Sequence, residues 1–245
     1  MFLAETAAGC QKECATVHVL AGTKEFRERP EESMPKKLPT RKLPTKKSPP
    51  HPRPSSPPRL PALDLHRLTG EQQALVAAIQ SGPRGRFVME GPFAVFLHAP
   101  AYGQLAQQLG AHLRFRTGLP PRLSEIAILC TGQFWKAQYE WMAHAAIAEK
   151  QGVKPATIRD IRAGRAPKSA PPDEQAIYAF VKELYVTRRV SDAAYRRAHK
   201  LIGDAGMVEL VGILGYYVLV SMTLNVFRMP VPAGIPAPFR EPAGK

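Results

Sequence analysis

Residues 122–151, RLSEIAILCTGQFWKAQYEWMAHAAIAEKQ, decide the reading of the fold. Apolar side chains recur there every three or four residues with no two-residue alternation, so the spacing predicts helix. Pro120 and Pro121 open the segment, where a missing backbone N–H costs nothing because it has no intrahelical partner. Gly152 closes it. The weak point inside is Thr131-Gly132, since glycine within a helix costs about 1 kcal/mol relative to alanine. If the segment breaks, it does so there.

The same periodicity extends outward on both sides. Thr69 and Gln72 form a capping-box pattern for a helix over 71–80, which Ser81-Gly82-Pro83-Arg84-Gly85 stops. A loop or short helix is expected over 91–100, then helices over 101–115, 155–163, 173–187, 192–201 and 207–227. Turn residues separate them at 164–172 and 203–206. No alternating strand pattern remains, so the fold class is all-α. Residues 208–227 reach the length of a membrane span, but Gly212, Gly215, Tyr216, Tyr217 and Asn225 read as a buried, close-packed helix, and no membrane partner is expected.

Composition divides the chain. With 245 residues and 44% hydrophobic content it is no wholly disordered protein. The net charge of +14 is unevenly spread. Residues 35–61 hold ten prolines, eight Lys or Arg and no acidic residue, whereas 62–245 hold 22 basic and 14 acidic residues. The repeat-like KKLPTRKLPTKKSPP favours extended chain. The expected organisation is a disordered basic Pro-rich tail over 1–61, a helical domain over 62–238 and a C-terminal tail over 239–245. Residues 35–61 contain no aromatic side chain to stack on bases, which argues against nucleic acid as the partner. Cys10, Cys14 and Cys130 are too few for a disulfide framework and point to a reducing compartment. The first twenty residues carry Glu5 and Glu13 without a continuous apolar stretch, so a cytoplasmic location is expected.

Both tryptophans lie within Gln133 to His144. At 100° per residue Gln133, Ala137, Glu140, Trp141 and His144 share one face, and Trp135, Tyr139 and Met142 another. Glu140 and His144 are then in reach of one another. A carboxylate beside imidazole raises its pKa and suits general acid–base work near neutral pH; on a solvated face the same pair is worth only a few tenths of a kcal/mol. Glu125 lies nineteen residues before His144, about 28 Å away along an unbroken helix. The two meet only if the segment breaks at Thr131-Gly132 or if a neighbouring subunit supplies Glu125. Neither a His-Glu-x-x-His nor a Cys-rich zinc pattern is present, and no phosphate-cradling or dinucleotide fingerprint, so no metal and no cofactor are expected.

Over residues 65–236 the chain resembles the carboxymuconolactone decarboxylase and alkyl hydroperoxidase D superfamily. The residues that carry the resemblance are Glu125, His144 nineteen positions later, Ala145-Ala146 and Gly152. Gly91-Pro92-Phe93 through Leu97-His98-Ala99-Pro100, and Gly215-Tyr216-Tyr217 through Asn225, look like the decarboxylase branch. The peroxidase branch has a Cys-x-x-Cys where this chain has Ala137 and Glu140, so dithiol peroxidase chemistry is not expected. Cys130 reads as a small buried apolar residue. The resemblance implies an alkyl hydroperoxidase D-like helical domain, assembled as a homotrimer or homohexamer. It implies a cofactor-independent carboxy-lyase or isomerase acting on a small lactone or keto acid. In that scheme His144 transfers the proton, Glu140 orients it and tunes its pKa, and Glu125 is the third catalytic candidate. Tyr139, Arg122, His98 and Trp141 are the candidates for binding the small carboxylate or lactone substrate. The alternative is a non-catalytic helical oligomer that binds a small ligand or a protein partner.

Overall fold

In the computed structural model, which describes residues 57–240, eight α-helices follow one another. They are α1 (Gly70–Ser81), α2 (Gly91–Phe96), α3 (Pro100–Phe115), α4 (Pro121–Trp135), α5 (Gln138–Lys150), α6 (Pro155–Arg162), α7 (Pro172–Thr187) and α8 (Asp192–Val226). No strand occurs among the described residues, and the fold is all-α as the periodicity requires. The tail expected over 1–61 lies outside the described residues as far as residue 56, and the C-terminal one from residue 241.

Local chemistry sets the helix starts. Thr69 Oγ1 accepts from the Gln72 N–H at 3.3 Å while Gln72 Oε1 accepts from the Thr69 N–H at 2.9 Å, the reciprocal capping box predicted for α1. Proline stands in the first turn of α2, α3, α4, α6 and α7. Ser191 caps α8 through the Ala194 N–H. Within α8, Gly203 takes φ 65° and ψ −175°, which bends the element where a turn was expected at 203–206.

The segment 122–151 is two helices, but they part at Lys136-Ala137 and not at Thr131-Gly132. Lys136 adopts the left-handed conformation, φ 51° and ψ 35°; its N–H bonds to the Gln133 carbonyl and the Ala137 N–H to that of Gly132. That pair of bonds is a Schellman stop. Asn225 Nδ2 donates to the Trp135 carbonyl at 2.7 Å, satisfying another acceptor left over at the end of α4. Gly132 itself stays helical, and a Cβ there would meet Trp141 N at an ordinary 3.7 Å. The glycine is not where the chain needs to turn.

Every residue from 123 to 132 is buried, so α4 is a central helix covered on all sides. It packs against α5, α6, α7 and α8. Ile126, Leu129, Ile177, Val181, Leu210 and Ile213 form the middle of this core. Leu75, Ile79, Phe96, Leu97 and Ala106 make a smaller one between α1, α2 and α3, and Leu219 of α8 touches both. By length and composition α8 could cross a membrane, yet half of its most apolar window is buried inside the protein. Arg59 bonds to the Val226 and Phe227 carbonyls, and Phe239 exchanges two hydrogen bonds with the Gln138 side chain. Both residues thus dock on the helical unit although they lie outside the 62–238 limits read from sequence.

Candidate active site

The hairpin of α4 and α5 brings Glu125 and His144 together. His144 Nδ1 lies 2.8 Å from Glu125 Oε2, and since a carboxylate accepts, Nδ1 carries the proton. On the other side of the ring, Nε2 lies 3.1 Å from Glu140 Oε1. This second contact is an ion-pair distance without hydrogen-bond alignment, so Glu140 Oε1 is buried with no hydrogen-bond partner among the described residues. All three side chains are about 5% exposed. The sequence assigned the orienting role to Glu140; in the structure Glu125 makes the orienting bond, and Glu140 faces the nitrogen left free for chemistry.

Burial alone would lower the imidazole pKa. The charge of Glu140 close to Nε2, the hydrogen bond to Glu125 and the charge of Glu125 outweigh it, and His144 is pushed up to about 9. At neutral pH the group is an imidazolium with a carboxylate at each nitrogen, hence a proton donor. Tyr217 of α8 meets it edge-on, ring centroids 5.0 Å apart. Burial, then Glu140, raises the Tyr217 phenol well above its ordinary value, so it is a neutral hydroxyl. Tyr216 stands against Tyr217 at 5.4 Å, and burial pushes its phenol up to about 12. Gly110 makes room for it, because a Cβ there would lie 2.1 Å from the Tyr216 hydroxyl.

Of the four substrate-binding candidates, Tyr139 is near the cluster. Burial, then the charges of Glu90 and Glu140, raise its phenol to about 12, and it hydrogen-bonds to Glu90. Its ring lies where a side chain on Gly91 would be, 2.4 Å from an added Cβ, and Gly91 also holds φ 59°. Arg122 is engaged elsewhere: it pairs with Asp173 and Glu174 at the start of α7 and ties α4 to it. The Arg122 hydrogen bond holds the Asp173 carboxyl below its ordinary range. Trp141 is 4% exposed, a member of the main core, with Phe239 edge-on at 5.3 Å. Truncating it would cost about 3–5 kcal/mol, so loss of activity there reports packing. His98 follows α2, its N–H bonded to the Val95 carbonyl; no hydrogen bond, ion pair or ring contact joins its imidazole to His144 among the described residues.

The sequence reading missed Tyr217, Tyr216 and Arg84 as site residues. Arg84 sits in the loop between α1 and α2, its guanidinium 4.8 Å from the Phe93 ring centroid and 5.7 Å from that of Phe115. Burial lowers its pKa, Tyr216 opposes this, Arg114 adds to it, and Tyr217 and Glu140 oppose it more weakly. It therefore stands in the same electrostatic neighbourhood as the imidazole. Among the described residues no set of three or more His, Cys, Asp or Glu side chains is arranged to hold a metal ion.

These features agree with the comparisons to known proteins. Residues 100–183, from α3 to most of α7, match the carboxymuconolactone decarboxylase family. That match spans 84 of the 245 residues, within the helical unit. A solved alkylhydroperoxidase AhpD core from Ralstonia eutropha JMP134, an uncharacterized peroxidase-related protein, is similar at TM-score 0.60 and 18% identity, covering 72% of this chain and 93% of that one. An uncharacterized peroxidase-related protein from Silicibacter sp. TM1040 is similar at TM-score 0.56 and 15% identity, covering 77% and 95%. At such identities the likeness shows the fold alone. No curated protein matches the chain.

The family match makes the cysteines decisive. Ala137 precedes α5 and Glu140 lies in its first turn, at the positions the peroxidase branch gives to its dithiol. Cys130 is buried in α4, and burial pushes its thiol up to about 12, so almost no thiolate exists at neutral pH. Purified protein should reduce hydrogen peroxide with dithiothreitol no faster than buffer does. A clear rate that Cys130→Ser abolishes would overturn this expectation.

Proposed function

We propose that this protein is a cofactor-independent carboxy-lyase or isomerase that acts on a small lactone or keto acid by general acid–base catalysis. The observation that supports this most is the placement of His144 between Glu125 and Glu140, buried and cationic, with no thiol beside it. In the lyase form, the bond to the leaving carboxylate breaks and its electron pair passes into the conjugated carbonyl as a dienolate, releasing carbon dioxide. His144 Nε2–H then gives its proton to the dienolate carbon. Glu125 keeps the ring oriented through Nδ1, and Glu140 holds the imidazolium charge until the proton moves, after which water reprotonates the ring. The neutral Tyr217 hydroxyl is the hydrogen-bond donor for the enolate oxygen. The test is a screen of small lactones and β- and vinylogous keto acids, followed by carbon dioxide release and proton NMR, with His144→Gln as the control. Turnover that is equal in wild type and His144→Gln would remove the proposal.

Self-association is the second part of the reading. Val208, Val211, Met222 and Val226 follow one side of α8 and are 74, 55, 41 and 50% exposed, and above Gly215 there is open space. Their separations of three, eleven and four residues keep them on one stripe. An apolar stripe of this length calls for a cover, and we assign that role to further copies of the chain in a homotrimer or homohexamer. Light scattering should show a multiple of the 27.0 kDa chain mass, and Val211→Arg should shift it toward monomer. A wild-type monomer stable to concentration would end this assignment. The same stripe would serve the alternative, a non-catalytic helical oligomer, and only turnover separates the two.

A further inference from the structure

Arg84 has unmet hydrogen-bonding capacity within the electrostatic reach of Tyr216, Tyr217 and Glu140. Its Nε is buried without a partner, and no hydrogen bond or ion pair engages its guanidinium among the described residues. Phe93 and Phe115 lie against it and offer no in-plane acceptor. The Gly82-Pro83-Arg84-Gly85 turn fixes its position: the Gly85 N–H closes on the Gly82 carbonyl at 3.0 Å and Gly85 holds φ 68°. Arg114, at the end of α3, is a second guanidinium in its field, likewise without a hydrogen bond among the described residues. Two half-buried arginines with no carboxylate bound to either are costly to leave as they are, and the unmet N–H groups need an anion. The forked guanidinium edge matches a planar carboxylate, with two parallel N–H donors for its two oxygens.

We propose that Arg84 is the substrate-binding cation of this site and grips a carboxylate of the substrate, with Arg114 adding charge and the Tyr216 hydroxyl a further donor. The proposal rests on the acid–base reading of His144. Chemistry specifies which carboxylate is held. A cation on the carboxylate that leaves as carbon dioxide would stabilise the ground state more than the transition state, because the charge departs from that group as the bond breaks. Arg84 therefore holds a carboxylate that survives the reaction.

Full-length protein titrated calorimetrically with maleate, dimethyl maleate and inorganic phosphate tests this, with the His144 Cε1–H NMR resonance as the position marker. Wild type should bind maleate, ignore the diester, and shift the His144 resonance on binding. Arg84→Gln should raise the maleate Kd by about ten- to a hundredfold, the range for losing a charge-assisted forked bond. Arg84→Lys, with an unchanged melting temperature, should fall between the two because it keeps the charge and loses the fork. His144→Gln should still bind maleate; if it does while no substrate is found, the acid–base reading fails and Arg84 stands. Equal maleate affinity in wild type and Arg84→Gln would overturn the proposal, as would no maleate binding by wild type, tighter binding of phosphate, or maleate binding that leaves the His144 resonance unmoved.

Discussion

Replacing His144 by glutamine should lower turnover of the true substrate by about 10²- to 10⁴-fold, the range that a positioned proton donor supplies, and leave the helical fold in place. Glutamine fills much of the same space but cannot pass a proton from Nε2. The two carboxylates should differ from each other. Glu125→Gln loses the charge on the 2.8 Å bond that sets the ring orientation and tautomer, so its main loss is in kcat. Glu140→Gln loses charge at the nitrogen that reacts, with no aligned hydrogen bond to break, and should cost less. Each removes a negative charge that raises the imidazole pKa. The basic limb of the pH–rate profile, at about pH 9 in wild type where the acid form is lost, should move to lower pH in both variants. Steady-state rates across pH 6 to 10 check this. An unchanged basic limb in both would mean that the titrating donor is not His144.

Much of this site could be read from 122–151 alone. Glu140 and His144 were named from helical spacing and Glu125 from the family resemblance, and the three converge because the segment does break. The position of the break was illegible for a physical reason. Glycine marks a turn by its freedom at positive φ, and Gly132 offered that freedom without using it, whereas Lys136 took the left-handed position at some conformational cost. The Schellman bonds at Gly132 and Gln133 and the Asn225 contact with the Trp135 carbonyl compensate, and the Asn225 contact is not encoded locally. Tyr216 and Tyr217 were visible as members of a buried helix and of a decarboxylase-like stretch without a role, since helix periodicity says which residues face inward and not what they face. Arg84 lay in a stretch that reads as a turn, and its contacts with Phe93 and Phe115 depend on how α1, α2 and α3 pack. Arg122 failed for the opposite reason: an arginine opening a buried helix looked available, and Asp173 and Glu174, fifty residues later, claim it.

The buried triad also makes stability depend on pH in a direction that can be inverted. In the unfolded chain an ordinary histidine titrates near 6.5, while His144 in the folded protein is raised to about 9. Between those values the folded state holds a proton that the unfolded state has lost, so its stabilisation is complete below pH 6.5 and disappears as pH rises through 9. The shift of about 2.5 units corresponds to about 3 kcal/mol at most, a large share of the 5–15 kcal/mol by which a domain is typically stable. Urea unfolding at pH 6 and pH 9.5 should show wild type less stable at the higher pH by an amount of that order. The informative control is Glu125→Gln/Glu140→Gln, which keeps His144 and removes both carboxylates from its nitrogens. Burial is the largest single influence on this imidazole, and without its two counter-charges burial disfavours the imidazolium and sets the folded pKa below 6.5. The double variant should then lose stability as pH falls through 6.5, the reverse of wild type, because protonation favours the unfolded chain. Histidines elsewhere in the chain contribute equally to both proteins and cancel in the comparison. If the two stability curves run parallel from pH 6 to 9.5, the folded protein does not hold His144 as an imidazolium between two carboxylates.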